Sequence, residues 1–153
     1  MRRPSTVTLP VTLPVTPAGM QTGTHEIRIP SQVERTVDLH RYLTSWRREQ
    51  EIPDALADRV ELAMNEAVVN AIRHGNREEA SKTVRISMRW GGGSVWCRVE
   101  DQGEGFDPAD LPNPLDQEHL LLTHGRGVFL IGQTADRHRY LQGGRVLEME
   151  FDA

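Results

Sequence analysis

Cysteine, basic clusters and long apolar runs are scarce in this sequence, and each scarcity excludes a class of protein. The single cysteine, Cys97, can form neither an internal disulfide nor a cysteine-rich metal site, so we interpret it as a small buried side chain. Charges of both signs are scattered along the chain, with a formal net charge of -4, which disfavours nucleic-acid binding. Because no uninterrupted apolar segment is typical of a membrane span or a signal peptide, we expect a cytoplasmic protein.

The length and the composition of the first residues predict one folded domain after a tail. With 153 residues, of which 37% are hydrophobic, the chain can bury one core. Residues 1–24 contain no acidic residue and repeat Val-Thr-Leu-Pro over positions 7–14, and prolines there prevent a regular helix. We therefore predict a disordered tail over 1–24, with Met20 as an alternative start of the chain, and a single domain over 25–153.

Strand-like and helix-like patterns alternate through residues 25–153. Alternating apolar and polar residues predict strands, whereas apolar residues spaced three and four apart predict helices. The predicted elements are a strand over 25–29, a helix from a capping box at 31–34 to about 51, a helix over 53–75, hairpin strands over 82–90 and 94–100, a short helix from about 127, and strands over 137–141 and 145–151. This order predicts an α+β fold, a two-layer sandwich with helices covering one face of a mostly antiparallel sheet.

The second predicted helix has polar residues that belong neither to its core face nor to its solvated face. Glu66 and Asn70 are four residues apart and therefore share one stripe of the helix with Arg59 and Arg73. A carboxylate and an amide between apolar neighbours are typical of the floor of a cleft. The alternative is a helix edge whose polar residues point into water, and the spacing alone leaves it open.

A first glycine-rich segment follows a predicted strand. Asp101 stands at the end of that strand, where it can accept a hydrogen bond from an exocyclic amine such as that of adenine. Gly103 and Gly105 lack the side chains that would block the approach of the backbone to a ligand. A tight turn after an edge strand uses the same residues, and this segment alone does not distinguish the two.

A second glycine-rich segment precedes the short helix. Gly125, Arg126 and Gly127 stand where the N–H groups and the positive end of a helix dipole favour phosphate, and the arginine adds a positive charge. Taken alone, this pattern is more typical of a plain turn. The order of the three signals, from the helix to the first and then the second glycine segment, favours a nucleotide site.

The three signals together resemble the anti-sigma-factor serine kinases, a family of the GHKL ATPase superfamily. The segment NEAVVNAIRHGN (65–76) resembles the N box of that family, VEDQGEGFD (99–107) resembles its first glycine box, and HGRGVFLI (124–131) resembles its second. The resemblance covers about residues 25–153. It implies a GHKL-type ATP-binding fold and a serine/threonine-protein kinase that uses ATP and Mg²⁺.

The resemblance also implies a role for each matching residue. Glu66 matches the general base that accepts the proton of an attacking serine hydroxyl, and Asn70 matches the residue that holds Mg²⁺ against the ATP phosphates. Asp101 matches the residue that recognises adenine, and residues 107–123 match a mobile lid over the nucleotide. The residues implied to contact ATP or Mg²⁺ are Asn70, Asp101, Gly103, Gly105, Gly125, Arg126 and Gly127.

Some positions depart from the family pattern or stand outside it. Family members often carry a threonine on the final strand that reaches the adenine pocket, and residues 143–148 contain none, so we expect that contact to be missing or replaced by water. His74 lies in the N box, but the helix dipole explains a histidine there, and we assign it no catalytic role. Arg35 and Arg41 are candidates for docking an acidic partner surface.

The function implied by the resemblance is that of an anti-sigma factor with kinase activity. Such a protein sequesters a sigma factor, phosphorylates an anti-anti-sigma antagonist and forms a homodimer. The alternatives are an ATP-binding regulatory module without kinase activity, or an activator of a partner phosphatase. A histidine-kinase catalytic domain is less consistent, since it needs a helical hairpin with a phosphoacceptor histidine, for which the tail has no room. The sequence names neither the sigma factor, the antagonist, the target serine nor the signal.

Overall fold

The computed structural model describes residues 23–105 and 130–153. Residues 1–22 of the tail predicted over 1–24, the lid predicted over 107–123, and Gly125, Arg126 and Gly127 of the second glycine segment lie outside these residues. Within the described residues, four short helical segments occur in addition to the main elements: a 3₁₀ turn at Val33–Arg35, a π-helical turn at Ala71–Gly75, helical residues over 130–134 and a 3₁₀ turn at Gln142–Gly144. The main elements are β1 (His25–Pro30), α1 (Thr36–Glu49), α2 (Asp54–Asn70), β2 (Thr83–Gly91), β3 (Ser94–Glu100), β4 (Arg137–Leu141) and β5 (Val146–Asp152).

The five described strands form one open antiparallel sheet in the order β1-β2-β3-β5-β4. The predicted hairpin joins β2 to β3 through Gly92 and Gly93, whose φ angles of 62° and 79° suit the tight turn that a twisted hairpin needs. The α+β prediction is therefore confirmed, and both final strands lie within a residue of their predicted bounds.

One face of the sheet is covered by the helices. α2 packs against β3 and β5, and α1 packs against α2 and β1. Residues at the predicted helical spacing on α2, among them Val60, Met64 and Val68, are buried, as is the inward face of β3 around Cys97. The interpretation of Cys97 as a small buried side chain is thus confirmed, and its burial raises the pKa of its thiol.

The predicted capping box at the first helix is wrong. Ser31 is fully buried, and its hydroxyl donates to the carbonyl oxygen of Ile72 at 3.4 Å instead of capping a helix. Its main-chain N–H donates to the carbonyl oxygen of Lys82, so the β1–β2 pairing continues through the residue that was expected to start the helix. The chain then makes the 3₁₀ turn, and α1 begins only at Thr36.

The other face of the sheet carries charged residues arranged across the strands. Arg137 on β4 pairs with Glu150 on β5 at 3.1 Å, and Arg139 pairs with Glu148 at 2.9 Å. The Arg137 pair is largely exposed and so contributes little stability, whereas Arg139 bonds one oxygen of the buried Glu148 carboxylate. Among the described helices, none combines the length and the apolarity that crossing a bilayer requires.

Candidate functional site

Helix α2 presents Glu66 and Asn70 one turn apart. Asn70 is its last residue, and both side chains are half-buried. An α-helix rises about 1.5 Å per residue, so the two side chains lie roughly 6 Å apart along the helix axis, on one side of it. After Asn70 the helix widens into the π-helical turn at Ala71–Gly75, and such turns are frequent at functional sites.

Arg59 shares this stripe in sequence but has a structural task. Its guanidinium donates to the carbonyl oxygen of Thr134 at 3.1 Å and to the carboxylate of Asp136 at 2.7 Å. It also donates to the main-chain carbonyl of Asp152 at 2.9 Å. Arg59 therefore holds the helical residues 130–134 and the end of β5 against α2.

Asp101 lies directly after β3 with a buried side chain, 7% exposed. Its Oδ1 accepts a hydrogen bond from the main-chain N–H of Gly103 at 2.8 Å, and its own N–H donates to the carbonyl oxygen of Arg145 at 3.0 Å. Burial raises the pKa of Asp101, opposed by the Gly103 hydrogen bond and by the positive charge of Arg145. The remaining acceptor capacity of this carboxylate suits an N–H donor of a ligand.

Two glycines beside Asp101 are required by close backbone packing. A Cβ added to Gly75 would overlap the carboxylate of Asp101, and one added to Gly103 would overlap the carbonyl group of Gly75. The predicted helix end at Gly75 is confirmed, since the π-helical turn ends there. The structure adds a second reason for this glycine, which is contact with the Asp101 loop.

Gly105 has a different constraint. Its φ angle of 86° lies in the left-handed region that favours glycine, and an added Cβ would overlap the carbonyl group of Gly143. Gly103 and Gly105 thus allow the segment after β3 to contact the end of α2 on one side and the β4–β5 turn on the other. Gly125, Arg126 and Gly127 lie outside the described residues.

Asn70 and Asp101 line one cavity of about 30 Å³ between α2 and the ends of β3 and β5. This volume accommodates water but is smaller than a purine, so a bound base would extend beyond these walls. The sequence hypothesis places Glu66 and Asn70 at one nucleotide together with Asp101 and the second glycine segment, and of the described residues among these the cavity joins Asn70 and Asp101. Glu66 does not line this cavity and lies one turn before Asn70.

A family model for the histidine kinase-like ATPase domain matches residues 29–151 of the chain. The match includes α2, the segment after β3 and the final strand, which together surround the cavity. The chain belongs to this family. Comparison with curated proteins gave no match. Membership makes the protein an ATP-binding domain of the GHKL kind, and such domains usually bind ATP with Mg²⁺.

Two residues of the cavity in this histidine kinase-like ATPase domain were missed by sequence reasoning. Tyr140 of β4 and Arg145, which precedes β5, line it at the end of the sheet where a threonine was sought. Burial raises the pKa of Tyr140 to about 12, so its hydroxyl stays neutral at physiological pH. The Arg145 guanidinium donates to the main-chain carbonyl oxygen of Gln142 at 3.4 Å and to the side-chain Oε1 of Gln142 at 3.3 Å. Neither residue belongs to a motif, and only the β4–β5 pairing brings them to the site.

The residues at the cavity fit a nucleotide with Mg²⁺. Asn70 offers one neutral amide oxygen, and Mg²⁺ commonly takes one or two protein oxygens together with phosphates and water. Among residues 23–105 and 130–153, no group of three or more His, Cys, Asp and Glu is arranged to hold a metal ion. A Mg²⁺ ion held by Asn70 would take its other oxygen ligands from phosphates and water.

Two larger hollows lie elsewhere and contain none of the motif residues. One, of about 210 Å³, lies on the charged face of the sheet beside Trp96. The other, of about 560 Å³, lies where α1 meets α2, and its Arg47 is already paired with Asp54 and Glu61 at 3.1 and 3.2 Å. Cavity size alone would favour these hollows, but the chemistry of the side chains favours the smaller one.

Proposed function

We propose that this domain is a Mg²⁺- and ATP-dependent protein serine kinase that acts as an anti-sigma factor. In this proposal it phosphorylates an anti-anti-sigma antagonist, sequesters a sigma factor and forms a homodimer. The observation that supports the kinase activity best is the cavity shared by Asn70 and Asp101, with Glu66 one turn earlier on the same helix. Base recognition and phosphate chemistry would then occur at neighbouring points.

Asp101 would recognise the base. Its buried carboxylate, held by the Gly103 N–H, would accept a hydrogen bond from the exocyclic amine of adenine. Asn70 would hold Mg²⁺, which neutralises negative charge on the phosphates when bound. Because both residues line the same cavity, one bound nucleotide would contact both of them.

Glu66 would act as the general base. As the serine oxygen of the antagonist bonds to the γ-phosphorus, the bond from that phosphorus to the β–γ bridging oxygen breaks, ADP leaves, and the serine proton passes to the Glu66 carboxylate. Its half-buried side chain is accessible to a protein substrate. General-base catalysis contributes about 10²- to 10⁴-fold to a rate.

The test incubates the full chain with Mg²⁺, γ-labelled ATP and candidate antagonist proteins encoded near it. We expect Glu66→Gln to lower phosphoserine formation by about 10²- to 10⁴-fold while the affinity for ATP changes little. Glu61→Gln is the matched control, because Glu61 lies on the same helix but binds Arg47 away from the cavity. Equal labelling by Glu66→Gln and wild type would remove Glu66 as the base.

The same experiment separates the proposed kinase from the ATP-binding regulatory module. Binding of ATP with no labelled antagonist in any combination would favour the module without kinase activity, or the activator of a partner phosphatase. Capture of a purified sigma factor, released by unphosphorylated antagonist, tests the anti-sigma role. Sedimentation of the purified chain tests the homodimer.

A further inference from the structure

Asn76 is a buried polar residue to which sequence reasoning assigned no role. It follows the π-helical turn and has no exposed surface. Its Oδ1 accepts a hydrogen bond from the main-chain N–H of Gln102 at 2.7 Å, and its Nδ2 donates to the carbonyl oxygen of Thr83 at 3.0 Å. Its main-chain N–H donates to the carbonyl oxygen of Ala71 at 2.8 Å. The amide thus connects the end of α2, the start of β2 and the segment after β3.

The bond to Gln102 holds the peptide next to Asp101. The N–H groups of the two residues after Asp101 are both restrained, Gln102 by Asn76 and Gly103 by the Asp101 carboxylate. The Gln102 side chain adds a further restraint, because its Oε1 accepts from the main-chain N–H of Thr83 at 2.7 Å. Gln102 is exposed, so water competes for that bond, whereas the bonds of buried Asn76 are shielded.

We propose that Asn76 is a positioning residue that sets the Asp101 carboxylate for recognition of the purine amino group. It does not touch the nucleotide and acts through the Gln102 peptide. Without it, the Gln102 peptide loses the hydrogen bond that ties it to the residue after the π-helical turn, and the neighbouring Gly103 N–H that holds the Asp101 carboxylate can shift. This inference rests on the proposed role of Asp101 in adenine recognition.

The test compares Asn76→Ser with wild type by the ratio of affinities for ATP and inosine triphosphate. The second nucleotide has an oxygen in place of the amino group that Asp101 would bind. We expect the wild type to prefer ATP, and Asn76→Ser to lose roughly ten- to hundred-fold of that preference, the range of a hydrogen bond to a charged group. An unchanged ratio in a folded Asn76→Ser variant would overturn the inference.

Ser31→Ala is the matched control for a purely structural effect. Ser31 is equally buried, but its hydroxyl donates to the carbonyl oxygen of Ile72 in the π-helical turn that precedes Asn76, and not to the Asp101 segment. We expect Ser31→Ala to lower the unfolding temperature without changing the nucleotide ratio. A loss of preference in Ser31→Ala equal to that in Asn76→Ser would show that general loosening of the turn is the cause, and would overturn the positioning role.

A measurement on the wild type covers the case in which Asn76→Ser does not fold. Hydrogen exchange of the Gln102 amide should be slow although its residue is exposed, because Asn76 Oδ1 holds that N–H. Exchange at the rate of a free peptide would overturn the inference. A wild type that binds ATP and inosine triphosphate equally would instead contradict the proposed role of Asp101, so the two failures are distinguishable.

Discussion

Asp101 combines two opposing physical effects at a single residue. Its carboxylate is buried, which disfavours the ionised form, yet recognition of an amino group needs an acceptor there. The Gly103 N–H and the charge of Arg145 offset part of the desolvation, but the pKa remains above its usual value of 3.8. In the proposed role of Asp101, the site would keep a residue that reduces stability in exchange for ligand binding, as functional sites often do.

We expect Asp101→Asn to stabilise the unliganded protein at neutral pH and to weaken ATP binding by roughly ten- to hundred-fold. Asp101 has a higher pKa in the folded protein than in the unfolded chain. At a pH between these two values the folded state binds this proton more tightly, so the free energy of unfolding falls as pH rises through that window. The advantage of the variant should therefore be present at pH 7, shrink as pH falls through the folded pKa of Asp101, and be lost below about pH 4. Urea unfolding at both pH values, with nucleotide titration at pH 7, checks this.

A variant less stable than wild type at pH 7 would contradict the expectation. It would mean that the Asp101 carboxylate stabilises the unliganded fold through its bond to Gly103, and that this bond outweighs the cost of burial.

The element that organises the site is the π-helical turn at the end of α2. It places Gly75 against the Asp101 carboxylate, and the Gly75 carbonyl group against Gly103. A side chain at position 75 would overlap the Asp101 carboxylate and leave no room for the segment after β3. The widened turn therefore brings the helix that carries Asn70 and the loop that carries Asp101 into contact.

We expect Gly75→Ala to destabilise the protein by about 1–3 kcal/mol and to lower ATP affinity, because the added methyl group displaces the Asp101 carboxylate. Gly132→Ala is the control. Its added Cβ would lie 3.6 Å from His138 Cε1, an ordinary contact, and alanine favours a helix over glycine by up to about 1 kcal/mol. Thermal unfolding and ATP titration of both variants distinguish the two positions. Equal stability of Gly75→Ala and wild type would show that the turn adjusts without strain.

For the whole molecule, a nucleotide bound at the proposed site would contact several separate elements at once. The cavity takes residues from α2, β3, β4 and the segment around 144–147, while Arg59 joins α2 to residues 134, 136 and 152. A ligand that contacts several of these elements stabilises only the folded state, so its binding free energy adds to the free energy of unfolding.

We expect Mg²⁺ with ATP at a concentration one hundred times the dissociation constant to add about 2.7 kcal/mol to the free energy of unfolding. For a domain of this size that corresponds to a rise in melting temperature of about 5–10 °C. Differential scanning calorimetry measures it. Chelation of Mg²⁺ should remove part of the rise, and Asp101→Asn should remove most of it at the same ATP concentration. An unchanged melting temperature in saturating Mg²⁺ and ATP would contradict ATP binding at this site.

Local patterns in the sequence determined most elements of this protein and the order of its motifs. Helical spacing identified the buried face of α2, alternation identified the β2–β3 hairpin, and Asp101 with its glycines could be recognised because their chemistry depends on neighbours in the chain. Only the tertiary structure decided what depends on distant pairing. Ser31 joins the π-helical turn instead of capping a helix because β1 pairs beside Lys82. Tyr140 and Arg145 reach the cavity because strand register brings them to the end of the sheet, and Asn76, the last residue of the N-box segment, is bonded to Gln102 only because the fold brings the two together.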